Sequence, residues 1–424
     1  MRMGRCLGLA TAALLVLAQG YRHGTAQAAQ SNTPAPPVAG ASASDAPLET
    51  RQRNAVDYQP AFPGQTRAKG IHNSVPYEVQ TVTTALMLPW AVEQLPDGRL
   101  LVTEKPGNLR IVTLDGKLSP PVVGVPKVRY NGQAGLLDVA LDPAFPRNHT
   151  IFFCYSEDRQ GGSGIALARA QLVEDAQGAH LNDLKVIFHA LPTIESDRQL
   201  GSRISFGKDG KLYLALGERG VNEAVGQAQD LNSDFGKIAR LNLDGSIPKD
   251  NPFVGRKDAR PEIWSYGHRD PQSLAVDSAT GKVWSIEHGP RGGDELNLIK
   301  RGANYGWPVI CYGIDYPGGK IGAGLTQKEG MEQPVYYWDP VIAPSGMAIY
   351  DGAMFPEWKG SVFVGGLIGM KVVRLQMKGD KVAGEEWLLP DLRQRVRDVQ
   401  QGNDGALYVV TDNGQLLRIY RKKA

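Results

Sequence analysis

The residues able to do chemistry in this 424-residue chain gather in seven short polar clusters. They are NGQAGLLD (131–138), SDRQLGSR (196–203), YGHRDPQS (266–273), EHGPRGGDELN (287–297), ANYGWP (303–308), YYWDPVIAPSG (336–346) and RQRVRD (393–398). Arg395 and Arg397 are two residues apart, so on a strand they share one face and suit a polyanionic ligand. An ion pair with Asp398 or another acid is the alternative. Trp338 could stack on a ring-shaped ligand or fill a core. No cluster matches a zinc, P-loop, Rossmann or serine-hydrolase motif. Histidine and cysteine, seven and three in number, are too sparse and ill-spaced for a zinc centre.

Between the clusters a weak repeat recurs: a hydrophobic strand, a polar turn usually carrying Asp or Gly, and a second hydrophobic strand. The six copies are 90–104, 137–157, 202–218, 273–289, 346–367 and 396–412, exemplified by SRISFGKDGKLYLALGE. Their spacing suits blades of four antiparallel strands with variable loops. The fold class expected is therefore all-β, a six-bladed β-propeller of four-stranded antiparallel blades. Fifty glycines and 28 prolines favour such a turn-rich architecture over long helices. Loops from distant blades then meet at one end of the channel.

The formal net charge of +3 gives no electrostatic case for nucleic acid or an anionic membrane. At the N-terminus a short basic stretch precedes the apolar run CLGLATAALLVLAQG (6–20), and Ala26-Gln27-Ala28 supplies a cleavage signal. Residues 1–28 thus read as a signal peptide, with no membrane anchor and a periplasmic or secreted mature protein. Residues 29–74, rich in Ala, Pro, Ser and Gly, read as a linker, and 75–424 as the propeller. Cys154 and Cys311 remain after cleavage; buried free thiols and a disulfide are both open.

The ordered blocks LPWAVEQLPDGRLLVTE, GQAGLLDVALDPAF, GKIARLNLDGSIPKDNPF, PEIWSYGHRDPQ, EHGPRGGDELN, NYGWP and RVRDV carry a resemblance. The chain resembles the soluble pyrroloquinoline quinone (PQQ)-dependent glucose and aldose sugar dehydrogenases, the glucose/sorbosone dehydrogenase family, from about Leu88 onward. The bacterial periplasmic aldose dehydrogenases are the nearest in look. The resemblance implies a six-bladed propeller with PQQ and Ca2+ at the top of its channel. It also implies an aldose substrate oxidised to a lactone, and an external electron acceptor.

Carried over residue by residue, Gln133 and Arg269 match cofactor contacts, and Arg395 and Arg397 match a pair that meets the cofactor's carboxylates. Gly289 and Pro290 match carbonyl ligands of the cofactor-bound Ca2+; Glu295 and Tyr305 match residues around a second, structural Ca2+. Trp338 is expected at the channel mouth. Asp270 stands where the family usually has Asn, and a carboxylate donates a hydrogen bond only when protonated.

Two positions depart further. The family's base, a histidine, precedes Arg203 by four residues, and Gln199 stands there. A neutral amide takes up no proton at accessible pH. Ile368 replaces a lysine that contacts the quinone, with Lys371 three positions on. Asp197, Glu195 and His268 are the substitute bases nearest in sequence, Asp197 foremost. Three readings follow: a PQQ-dependent aldose dehydrogenase with a remodelled pocket, a catalytically impaired propeller that binds a carbohydrate or other ligand, or an oxidoreductase or hydrolase with different chemistry on the same scaffold.

Overall fold

The computed structural model describes residues 45–72 and 75–422. The expected signal peptide and the first part of the expected linker lie outside the described residues. Six sheets are arranged as a six-bladed β-propeller, five of them four-stranded and one three-stranded. All six repeats seen in the sequence are the inner and second strands of successive blades. The inner strands are Pro89–Gln94, Leu136–Leu141, Gly201–Phe206, Pro271–Val276, Pro344–Ile349 and Val396–Gln401, for blades 1 to 6. Each contacts the next around a closed ring.

The turns form for a shared reason. In blades 1, 3, 4 and 6 an aspartate after the inner strand, Asp97, Asp209, Asp277 or Asp404, accepts a hydrogen bond from the backbone N–H two residues on. That side chain closes the turn locally before any tertiary contact exists. Gly98, at φ +90°, occupies the left-handed region that such a hairpin demands.

The ring is sealed by the chain's two ends. Strand Tyr77–Thr83 pairs antiparallel with Leu416–Arg421 as the outer strand of blade 6, Tyr77 opposite Arg421.

Residues 45–72 do not behave as the linker their composition suggests. The backbone N–H groups of Asn54 and Ala55 donate to the two carboxylate oxygens of Asp339, at 2.8 and 2.9 Å. Ala68 N–H reaches the Tyr336 hydroxyl, and Ile71 N–H the Glu385 carbonyl. This strap lacks a periodic apolar pattern because propeller groups, not a core of its own, satisfy its backbone. Among the described residues no helix is long and apolar enough to cross a membrane. Cys154 and Cys311 are buried and free.

On the ring's axis sits Arg203. Its guanidinium lies 2.9 Å from Asp138 of blade 2 and 3.2 Å from Asp398 of blade 6, and 4.4 Å from the Trp90 ring of blade 1. Its Nε donates to the Gln272 carbonyl of blade 4. Blade 5 contributes by absence: a Cβ on Gly346 would overlap the Asp398 carboxylate. Burial pushes the Asp138 carboxyl up to about 7, with the Arg203 charge opposing. Arg203→Met leaves two carboxylates facing each other without a counter-charge, and should cost about 3–5 kcal/mol of stability. Urea unfolding of the two proteins checks this.

Candidate functional site

At one end of the axis the loops enclose a cavity of about 300 Å³. Its floor is Trp90, Leu137 and Gln272, directly over the Arg203 cluster. One wall is the Leu200-Gly201 turn, and another is the segment from His288 to Arg291 with Asp294. Asp294 holds that wall together: one carboxylate oxygen accepts from Gly289 N–H, and the other from Ile342 and Ala343 N–H. Two loops lining the cavity are thereby pinned to one buried side chain. The strap braces the same region, since Asn54 bonds Asp339 and accepts from Arg291.

The rim is cationic. Lys105, Arg395 and Arg397 all line the cavity. Both arginines bond Asp412, at 2.7 and 2.8 Å. Burial raises the Asp412 carboxyl, but the two guanidiniums outweigh it and hold it below the usual range. Two arginines thus share one carboxylate, with the Lys105 ammonium as a third cation on the same cavity. Burial and then the Arg397 charge lower the Lys105 ammonium, whose Nζ donates to the Gly132 carbonyl. Lys105 escaped the sequence reading: it follows the second strand of blade 1 in EKPG, a single lysine with no pattern around it.

Of the expected site residues, Gln133, Gly289, Pro290, Arg395 and Arg397 line the cavity. Gln133 accepts a hydrogen bond from the backbone of Gln199 at 2.6 Å, so the two clusters meet. Gln199 itself, at φ +45°, stands half-buried beside the wall. Its amide satisfies its neighbours in one orientation only, with nitrogen on Glu218 and the carbonyl 2.9 Å from Arg269 Nη2.

Arg269 and Asp270 lie behind the wall and are not part of the cavity lining. Arg269 Nη1 donates to the His288 and Gly289 carbonyls, at 3.1 and 3.0 Å, and the guanidinium lies over the Trp307 ring. Asp270 is fully buried and bonds Gly201 N–H and Gln272, both of which line the cavity. It shapes the floor from beneath.

Glu295 and Tyr305 face a separate chamber of about 10 Å³. They do not bond each other: Tyr305 Oη is taken by the Leu298 carbonyl and Lys300 N–H. Burial, and then Glu287 on the neighbouring strand, push the Glu295 carboxyl far above its usual range. Asn297 Oδ1 is buried nearby in the same strand with no partner. Among the described residues no group of three or more His, Cys, Asp or Glu side chains is placed to hold a metal.

Trp338 corrects the expectation of a channel residue. It lies on the outer strand Tyr336–Trp338 of blade 4, 5% exposed, donating to Glu385 and set edge-on to Tyr336. Outer strands are remote from the axis, so it fills core. The substitute bases also fall away. Glu195 is tied to Arg129, and His268 is fully buried between Ser265 and Glu287. Asp197 packs against Gly132, outside the lining. Lys371 lies over the Trp387 ring, while Ile368 stands 52% exposed at the rim.

The glucose/sorbosone dehydrogenase family model matches residues 86–418. The chain is 42% identical over 346 residues to the aldose sugar dehydrogenase YliI of Escherichia coli, covering 80% of this chain and 92% of that one. The apo-form crystal structure of the soluble aldose sugar dehydrogenase of E. coli superposes with a TM-score of 0.77 at 40% identity, over 82% of this chain and all of that one. The PQQ-bound aldose sugar dehydrogenase of Streptomyces coelicolor gives 0.67 at 29% identity, over 83% and 100%. The chain belongs to the glucose/sorbosone dehydrogenase family, oxidoreductases built on the six-bladed propeller.

Proposed function

We propose that this protein is a PQQ-dependent aldose dehydrogenase that oxidises the anomeric carbon of a sugar to the lactone and passes the electrons to an external acceptor. The observation that carries this reading is the cationic rim, where Lys105 joins Arg395 and Arg397, a pair of arginines bonded to a single acid, Asp412. PQQ is a planar quinone bearing three carboxylates, and an excess of fixed positive charge beside a 300 Å³ cavity fits it. A bound quinone would supply the hydride acceptor for the sugar carbon. Arg395 and Arg397 would hold its carboxylates and Trp90 and Leu137 would exclude water from below, while Gln133 steadies the Gln199 loop. The expected signal peptide agrees with a periplasmic or secreted place of work.

The two expected Ca2+ positions differ in how well they suit the ion. At Gly289 the carbonyl already accepts from the Arg269 guanidinium, a cation that a second cation would have to displace. The site as arranged does not fit Ca2+, and no step is routed through it. Glu295, which lines the small chamber, and the unpartnered Asn297 Oδ1 two residues on in the same strand are hard oxygen donors of the kind Ca2+ takes.

Gln199 favours the second reading, an impaired family member that binds its ligand and turns it over slowly. With Ile368 in the lysine position, the chain lacks a base and a cation that the family pattern supplies.

Incubation of the full chain with PQQ, followed by absorbance titration and aldose-dependent dye reduction, separates these readings. Tight binding with turnover is expected; no binding sinks the proposal, and binding without turnover selects the impaired form. Gln199→His should raise kcat by about 10²–10⁴-fold with little change in KM, the ordinary worth of a general base. Arg397→Ala and Lys105→Ala should each weaken PQQ binding about tenfold or more, whereas Trp338→Phe should leave it unchanged.

A further inference from the structure

The cavity has two unlike sides. Its rim cations stand on blades 1 and 6, Lys105 after the second strand of the one and Arg395 and Arg397 at the start of the inner strand of the other. Blade 5 supplies a wall that carries no charge. It is made by two loops: Val341 and Ala343 come just before the inner strand Pro344–Ile349, and Leu367 and Ile368 just after the second strand Val362–Gly366. All four residues are aliphatic, and all four line the cavity.

The backbone of this wall is closed as well. Leu367 N–H donates to the Ala343 carbonyl at 2.9 Å, and the N–H groups of Ile368 and Gly369 share the Ile342 carbonyl, at 3.1 and 3.0 Å. The N–H groups of Ile342 and Ala343 go to Asp294. These five donors are spent within the protein, so none of them reaches a ligand. Lys371, three positions beyond Ile368, is turned away, its Nζ lying over Trp387 on the outer strand Lys381–Leu388 of the same blade. Ile368 is the most exposed of the four lining residues and presents its apolar surface at the rim.

A sugar hydroxyl pressed against such a wall gives up its water and gains no donor in return. A hydrogen or a methyl in the same place gives up nothing and covers the isoleucine. Resting on the function proposed above, we propose that the blade 5 wall selects a deoxy aldose, a sugar that turns a CH2 or CH3 group to Ile368 where the parent aldose carries a hydroxyl. Ile368 is then a specificity-determining residue. The lysine of the family pattern would offer three donors at this position, and isoleucine offers none.

One arm of the test needs no cofactor. Glucose and its 2-, 3-, 4- and 6-deoxy derivatives are compared for binding to the full chain by saturation-transfer NMR, without PQQ and with it, and then for kcat/KM in the PQQ-loaded protein. One derivative should bind about fivefold or more tightly than glucose and be preferred by a similar factor in kcat/KM, the least that an unpartnered hydroxyl costs. Ile368→Asn, which returns a donor and an acceptor to the wall, should erase the preference. Ile368→Val, still aliphatic, should keep it. The side chain is exposed, so neither change disturbs the core. The proposal is overturned if no derivative binds better than glucose, or if the preference survives Ile368→Asn. A preference in binding by a chain that takes up no PQQ upholds the wall and sinks the cofactor reading. Turnover of glucose and all four derivatives at equal kcat/KM upholds the cofactor reading and sinks the wall.

Discussion

A guanidinium buried on the propeller axis has no water to solvate it, so the ring must supply its partners. Arg203 takes one from each of four other blades: Asp138, Asp398, the Gln272 carbonyl and the Trp90 face. Burying such a charge is costly, and the cost is offset only when all partners are in place. Asp138 and Asp398 are in turn fixed by the backbone N–H groups of Ile204 and Val92 on neighbouring inner strands. The blades are therefore locked in rotation as well as packed. The cavity floor, made by Trp90 and Gln272, inherits that rigidity because both residues also touch Arg203.

Above the floor the same device is repeated with a carboxylate. Asp294 gathers three backbone donors from the 289 and 342–343 segments, and Asp339 gathers two from the strap. Each buried acid fixes the path of a loop that no regular hydrogen-bond ladder controls. The strap lies N-terminal to the span matched by the family model, and it braces the wall from outside through Asn54 and Arg291. The floor of the cavity is strand and its walls are loop, and those loops are held by buried carboxylates.

The blades were legible because their signals are local: alternating apolar residues and an aspartate that closes its own turn, as Asp209 does for Lys211. The cavity residues Gln133, Gly289, Pro290, Arg395 and Arg397 were legible by resemblance of whole motifs. The misreadings share a cause, since burial and depth from the axis leave no mark on residue type. Trp338 looks like a binding aromatic and is core; Arg269 carries a charge suited to a quinone and is held behind a wall by carbonyls. Residues 45–72 look like a spacer because their partners are supplied from positions about 270 to 315 residues away.

The pairing of Tyr77–Thr83 with Leu416–Arg421 has a consequence for how the chain is made. A protein that emerges from its N-terminus must leave its first strand without a partner until the last strand arrives. Blades 2 to 5 each contain four consecutive strands and can form in turn, but blade 6 draws on both ends. The charged axis waits as well, because Asp398 is supplied only in the final 27 residues. Throughout synthesis, then, the nascent chain is an open arc with an unpaired edge and an unmatched charge at its centre. It becomes a closed ring in one late step, when the last strands reach the first.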